Sequence, residues 1–141
     1  MNKERLLNII EDMSESIKNI QDCKEVLKST PENKTTIFIE FGLKQIFADF
    51  FITVENLTSM TLKELGEFKI GIDMKNSLLI LNNNNIIDSD IYYFLNQARL
   101  LRNRIFHRYK QPSREELLEF IDSNIDKFNS VLELAKKYIK D

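Results

Sequence analysis

Glycine and proline are scarce in this chain, three and two among 141 residues. Few turns can therefore be built, and long helices are favoured. Cys23 is the single cysteine, which excludes an intrachain disulfide and reads as a small apolar filler on a helix. No apolar run approaches the roughly 20 residues that a membrane span needs. The start, Met-Asn-Lys-Glu-Arg-Leu-Leu, has no apolar core of a signal peptide. These absences together predict a protein of the reducing cytoplasm, with no membrane partner. A strong excess of one charge is also missing, because 20 basic against 22 acidic residues leave a net charge of −2. That excludes a general nucleic-acid coat protein. A focused basic cleft stays possible, since local potential steers a substrate more than the sum does.

What is present suits a soluble globular protein, with 43 % hydrophobic and 30 % charged residues. The length predicts one domain, 1–141. Leu6, Met13, Ile20 and Leu27 repeat every seven residues, with Ile10 and Ile17 in the same stripe, so a first helix is expected from about Lys3 to Lys28. Pro31 ends it. A second helix runs from about Thr35 to beyond Met60 on Ile39, Leu43, Ile46, Phe50, Val54 and Leu57. Phe38, Phe41, Phe47, Phe51 and Ile52 widen that stripe well past one face, which predicts a central helix or a contact between two copies. Residues 62–73 read as a connection, 74–81 as a short helix, and Asn82 to Asn85 as its C-terminal turn.

A fourth helix opens at Asp88 or Ser89 and is expected to reach Tyr109 or Lys110 before Pro112. Ser113-Arg-Glu-Glu116 is a capping box for a fifth, whose stripe runs from Leu118 through Ile125 and Phe128 to Ile139. The expected fold is an all-α up-and-down bundle of four long helices and one short one.

The chemistry concentrates on the fourth helix. Five of the six arginines fall between positions 99 and 114, and no acid lies between Asp90 and Glu115. His107, the only histidine, stands inside this island. RNA cleavage by internal attack needs a base for the 2′-hydroxyl, an acid for the leaving 5′-oxygen and a cation on the phosphate. Histidine can give or take the proton near neutral pH. Arginine can hold the phosphate through two parallel hydrogen bonds. Neither role needs a metal or another cofactor, and no strong metal-ligand spacing occurs.

On one straight helix, at about 100° per residue, Tyr109 points with Arg102 while His107 points about 140° away. Either the helix distorts in its last turn, or a two-fold dimer sets Arg102 of one copy near His107 of the other. Arg102 also lies within the inward arc of Ile91, Ala98 and Ile105, where a charge must be paired or face a wet cleft. The plain alternative is a structural arginine paired with Glu40, Asp49 or Glu55. For His107 and the other basic residues the plain alternative is a solvated helix C-terminus, favoured by the macrodipole.

The segment Arg102-Asn-Arg-Ile-Phe-His107-Arg-Tyr109 resembles the Arg-x4-His-x-Tyr signature of HepT-like toxins, small helical ribonucleases of the HEPN superfamily. The likeness in helix order covers essentially the whole chain. It implies a HEPN-like bundle and a type II toxin–antitoxin toxin that is a metal-independent endoribonuclease acting as a homodimer. Arg102 and His107 would be catalytic, and Asn103 would support the arginine. Arg99, Arg104, Arg108 and Lys110 would bind RNA. Tyr109 matches the tyrosine that a cognate minimal nucleotidyltransferase antitoxin, of the MntA type, modifies with AMP. Two departures stand out: Arg108 replaces the small residue common between His and Tyr, and Leu100-Leu101 replaces a glycine–aromatic pair. The other reading is a non-catalytic HEPN module that binds a nucleotide or a nucleotidyltransferase.

Overall fold

A computed structural model describes residues 1–140, and among them it contains helices and no strand. The helices are α1 (Lys3–Ser29), α2 (Lys34–Leu65), α3 (Met74–Asn83), α4 (Ser89–Ile105), α5 (Arg114–Ser123) and α6 (Ile125–Lys140). No helix is long and apolar enough to cross a membrane among the described residues.

Five of the six helix starts are chemically marked. Asn2, Asn33, Asp73, Asp88 and Ser113 all place a side-chain oxygen on a backbone amide of the first turn, which satisfies donors that a helix otherwise leaves open. The capping box at Ser113 and Glu116 is formed. Gly66 ends α2 with φ at 72°, a left-handed conformation that glycine adopts without steric cost.

α2 packs along α1, α3 lies against α2 and α4, and α6 closes on α1 and α4. The heptad positions Leu6, Met13, Ile20 and Leu27 of α1 are all buried. The wide stripe of α2 divides in two. Phe47 and Phe51 enter the core, whereas Phe38, Phe41 and Ile52 stay exposed. At the centre Phe128 of α6 meets Phe50 at 4.8 Å and Phe94 at 5.0 Å, and Phe120 of α5 stacks on Phe94 at 5.7 Å. This aromatic knot ties α4 to three other helices. It gives the basic helix a rigid base, because each such ring is worth about 3–5 kcal/mol against truncation to alanine.

Several boundaries differ from the sequence reading. α2 runs to Leu65, four residues into the stretch 62–73 read as a connection, and α3 takes in Asn82 and Asn83. The expected fifth helix is two, because the Asn124 side-chain amide donates to the Phe120 carbonyl and its own carbonyl starts α6. The fourth helix ends at Ile105, four residues before Tyr109. Gln111 Nε2 donates to the Ile105 carbonyl at 2.6 Å, and the His107 amide bonds the Arg104 carbonyl at 3.1 Å, so the last turn tightens and stops.

Candidate functional site

Arg102 is carried in the last turn of α4, on the arc of buried Ala98 and Ile105. Its guanidinium therefore meets α2. Of the three α2 carboxylates offered by the sequence, Glu40 takes Arg114 at 3.1 Å and Lys44 at 3.9 Å, and Asp49 accepts from Gln45 at 3.0 Å. Glu55 is the partner of Arg102, with Nη1 to Oε1 at 2.6 Å. The guanidinium also lies over the Phe51 ring at 4.6 Å, and Nε donates to Asn103 Oδ1 at 3.3 Å.

These contacts orient more than they stabilise. The Arg102 side chain is 19 % exposed and that of Glu55 38 %, so the ion pair is worth about 1 kcal/mol or less. The ring contact adds a similar amount. The hydrogen bonds fall on Nε and Nη1, which leaves Nη2 for an oxygen from outside.

His107 does not share a helix with Arg102. It follows the C-cap residue Phe106 on the segment 106–112, is exposed, and makes no side-chain hydrogen bond among the described residues. The 140° separation expected on a continuous helix therefore does not apply. Tyr109 is 85 % exposed, with the Arg108 guanidinium 5.9 Å from its ring centre.

The segment is fastened from behind. Arg104 donates from Nη1 and Nη2 to the two carboxylate oxygens of Glu116, at 2.6 and 3.2 Å, and from Nε to the Lys110 carbonyl at 3.0 Å. One guanidinium thus holds the far end of the segment and the first turn of α5. The hydrogen bond from Arg104 keeps the Glu116 carboxyl below its ordinary value, with the Ser113 amide adding to the effect. The same bond raises Arg104. Arg99 is half-buried and forms no ion pair among the described residues; Arg108 and Lys110 are exposed.

A pocket of about 480 Å³ opens between α2, the 66–73 connection, α3 and α4. Arg99, Arg102 and Asn103 line one wall, and Phe68, Lys69 and Lys75 another. A second hollow, about 430 Å³, lies between Phe41 and Phe106, beside the His107 segment. Among the described residues no three His, Cys, Asp or Glu side chains are grouped so as to hold a metal ion.

The sequence reading named Glu55 only as one of three carboxylates and missed Glu116, Gln111, Lys69 and Lys75. Gln111 had a local signal, standing just before Pro112. The partnership of Arg104 with Glu116 had none, since the capping box already explained the glutamate.

A six-helix bundle with an Arg-x4-His-x-Tyr stretch leaving the end of its motif helix fits the HEPN class that the sequence resembles. The family model described as ribonuclease HepT-like matches residues 6–135. The chain belongs to the HepT-like ribonuclease family. Its fold is similar to that of a crystal structure described as a toxin-antitoxin with AMP-PNP, with TM-score 0.69 and 17 % identity over 96 % of this chain and 99 % of that one. None of the curated proteins compared with it matches.

Proposed function

We propose that this protein is the toxin of a toxin–antitoxin pair and a metal-independent endoribonuclease, with Arg102 and His107 as its catalytic residues. The observation that carries the reading is the division of labour within the motif. Arg102 is held in one orientation at a pocket wall, with a guanidinium nitrogen free for phosphate. His107 stands five residues on, exposed on a segment anchored by Arg104 and Gln111. Membership of a ribonuclease family supports it. Asn103 steadies the arginine, and Arg99, Arg108 and Lys110 draw in the RNA backbone. Arg104, spent on Glu116, contributes its charge to the field more than a direct contact.

The mechanism follows from these groups. The arginine binds a non-bridging phosphate oxygen as charge grows on it. The histidine takes the 2′-hydroxyl proton or protonates the leaving 5′-oxygen. The product of internal attack is a cyclic phosphate. The His107 side chain has no hydrogen-bond partner among the described residues; exposed Phe106 precedes it, Phe41 lines the same hollow as Phe106, and exposed Phe38 stands one turn from Phe41 on α2. A two-fold homodimer covers this apolar patch and encloses the histidine. The neutralising partner is a minimal nucleotidyltransferase of the MntA type, which modifies Tyr109 with AMP. A nucleotide analogue bound in the similar toxin-antitoxin structure supports that partner. The setting is the cytoplasm, where such RNA is found.

One observation favours the second reading, a non-catalytic HEPN module binding a nucleotide or a nucleotidyltransferase. Arg102 already has a carboxylate partner, as a purely structural arginine would. Cleavage of total cellular RNA in EDTA, wild type against His107→Ala, separates the two. Cleavage by wild type alone supports the nuclease. Absence of cleavage by a well-folded dimer supports the module.

A further inference from the structure

We infer that the pocket behind Arg102 is a subsite for the nucleotide next to the scissile phosphate of a single-stranded RNA. The inference rests on the ribonuclease reading for the identity of the strand. It goes beyond that reading in naming Lys69, Lys75 and Phe68, which no motif includes.

The pocket carries four cationic side chains, Arg99, Arg102, Lys69 and Lys75, and two carboxylates, Glu55 and Asp73. Both carboxylates are engaged: Glu55 by Arg102, and Asp73 by capping α3 at the Asn76 amide, 2.8 Å. Arg99, Lys69 and Lys75 form no ion pair among the described residues. Arg99 is the most telling of them. Its Nε is shut off from solvent and has no hydrogen-bond partner, although a buried charged donor ordinarily finds one. That atom is closed to a ligand as it is to water, so what Arg99 offers an anion in the pocket is the uncompensated charge of its guanidinium on the wall.

The remaining lining matches a nucleotide rather than a bare ion. Phe68, 37 % exposed, offers a ring to a base, with Lys63 Nζ 4.8 Å from its centre. Ile72 and Met74 supply apolar wall. Single-stranded bases are bound by such aromatic and cationic surfaces. The volume of about 480 Å³ lies within the range of about 300–1,000 Å³ typical of small-ligand sites. Arg99 and Arg102 stand one helical turn apart on α4, so consecutive phosphates of one strand can meet the two in order.

The test is fluorescence anisotropy of the full chain with an uncleavable 2′-O-methyl RNA over a series of salt concentrations. Arg99→Gln, Lys69→Gln and Lys75→Gln are compared with wild type, and AMP is titrated separately. We expect each substitution to weaken RNA binding about 3- to 10-fold at low salt. Each loss of a phosphate contact lowers the slope of log K against log salt by about 0.7. In cleavage, KM rises while kcat holds. Lys69 and Lys75 are exposed, so their variants keep the test valid if Arg99→Gln fails to fold. Unchanged affinity and slope in the lysine variants overturns the subsite. So does AMP binding that depends on these residues while RNA binding does not, which assigns the pocket to a free nucleotide. RNA binding that needs them, in a protein that cleaves nothing, leaves the subsite standing and removes the nuclease reading.

Discussion

The two ends of the motif are held in opposite ways. Arg102 is clasped by a carboxylate, a ring and a neighbouring amide, on a helix pinned by the Phe94 cluster. His107 and Tyr109, a few residues later, are exposed on a segment held only through its backbone and its neighbours Arg104 and Gln111. The difference indicates where each group gets its geometry. A phosphate-holding cation benefits from preorganisation, and this chain supplies it alone. A proton-transferring histidine needs an orienting and water-excluding surround, which in the proposed mechanism is supplied by a second molecule. Of the two arrangements expected from the sequence, the structure shows the early end of the helix, which lifts the 140° separation between Arg102 and His107.

The largest expected effect breaks both ends in turn. Arg102→Ala and His107→Ala should each reduce RNA cleavage by at least about 100-fold, in the range for lost charge stabilisation or general acid–base catalysis. Initial rates on a defined RNA check this. Near-wild-type rates in both variants sink the assignment. If the contrast drawn above holds, Arg102→Lys recovers part of the activity without the bidentate geometry, whereas small replacements at His107 recover none.

The next effect loosens only the anchor of the histidine. Arg104→Ala or Glu116→Ala should lower kcat about 10-fold with little change in KM, because misplacement of a reacting group costs rate before affinity. The pH dependence has a definite sign. The Glu116 carboxyl is lowered in the folded chain, so its contribution is present above the ordinary glutamate value and lost as pH falls through the lowered one. Glu116→Gln should therefore abolish an acid-induced loosening of residues 106–112, read by amide hydrogen exchange. A wild type whose segment exchanges equally at both ends of that pH range contradicts it.

How much of this was legible in the sequence depends on the range of the interaction. The heptad stripe of α1, the cap at Asp88 and the capping box at Ser113 are local patterns, and the structure forms all of them. The helix break at Asn124 is also local, but an unbroken apolar stripe hid it. The end of α4 was misplaced because the reading weighed Pro112 and not Gln111, whose amide reaches back six residues. Glu55 lies 47 residues from Arg102, and spacing alone could not choose it over Glu40 or Asp49. The pocket residues Lys69 and Lys75 stayed invisible for the same reason. Lys69 sits in a connection read only for its glycines, and Lys75 in the first turn of a short helix read only for its leucines.

A smaller change sharpens the role of the carboxylate. Glu55→Gln keeps an oxygen acceptor beside Arg102 and removes one negative charge from the pocket wall. Binding of uncleavable RNA should tighten about 3-fold at low salt, and the gain should vanish as salt screens it. A large loss of binding would mean that the charge of Glu55, and not only its position, is needed to keep the arginine in place.

The smallest expected effect on cleavage is that of Tyr109→Phe. The Tyr109 hydroxyl has no hydrogen bond among the described residues, and the side chain is 85 % exposed, so its loss leaves folding and the anchor of the segment intact. Most RNA cleavage should remain. The contrast appears only with the antitoxin, since phenylalanine offers no oxygen for AMP. The added phosphate would sit next to Arg108, 5.9 Å from the ring in the unmodified chain, and draw that guanidinium away from RNA while the adenosine blocks the approach to His107. Growth on co-expression with a cognate nucleotidyltransferase, together with intact-mass measurement of the toxin, reads both halves. Wild type should gain the mass of AMP and lose toxicity, and Tyr109→Phe should do neither. An inactive Tyr109→Phe would instead place the hydroxyl among the groups that act on RNA.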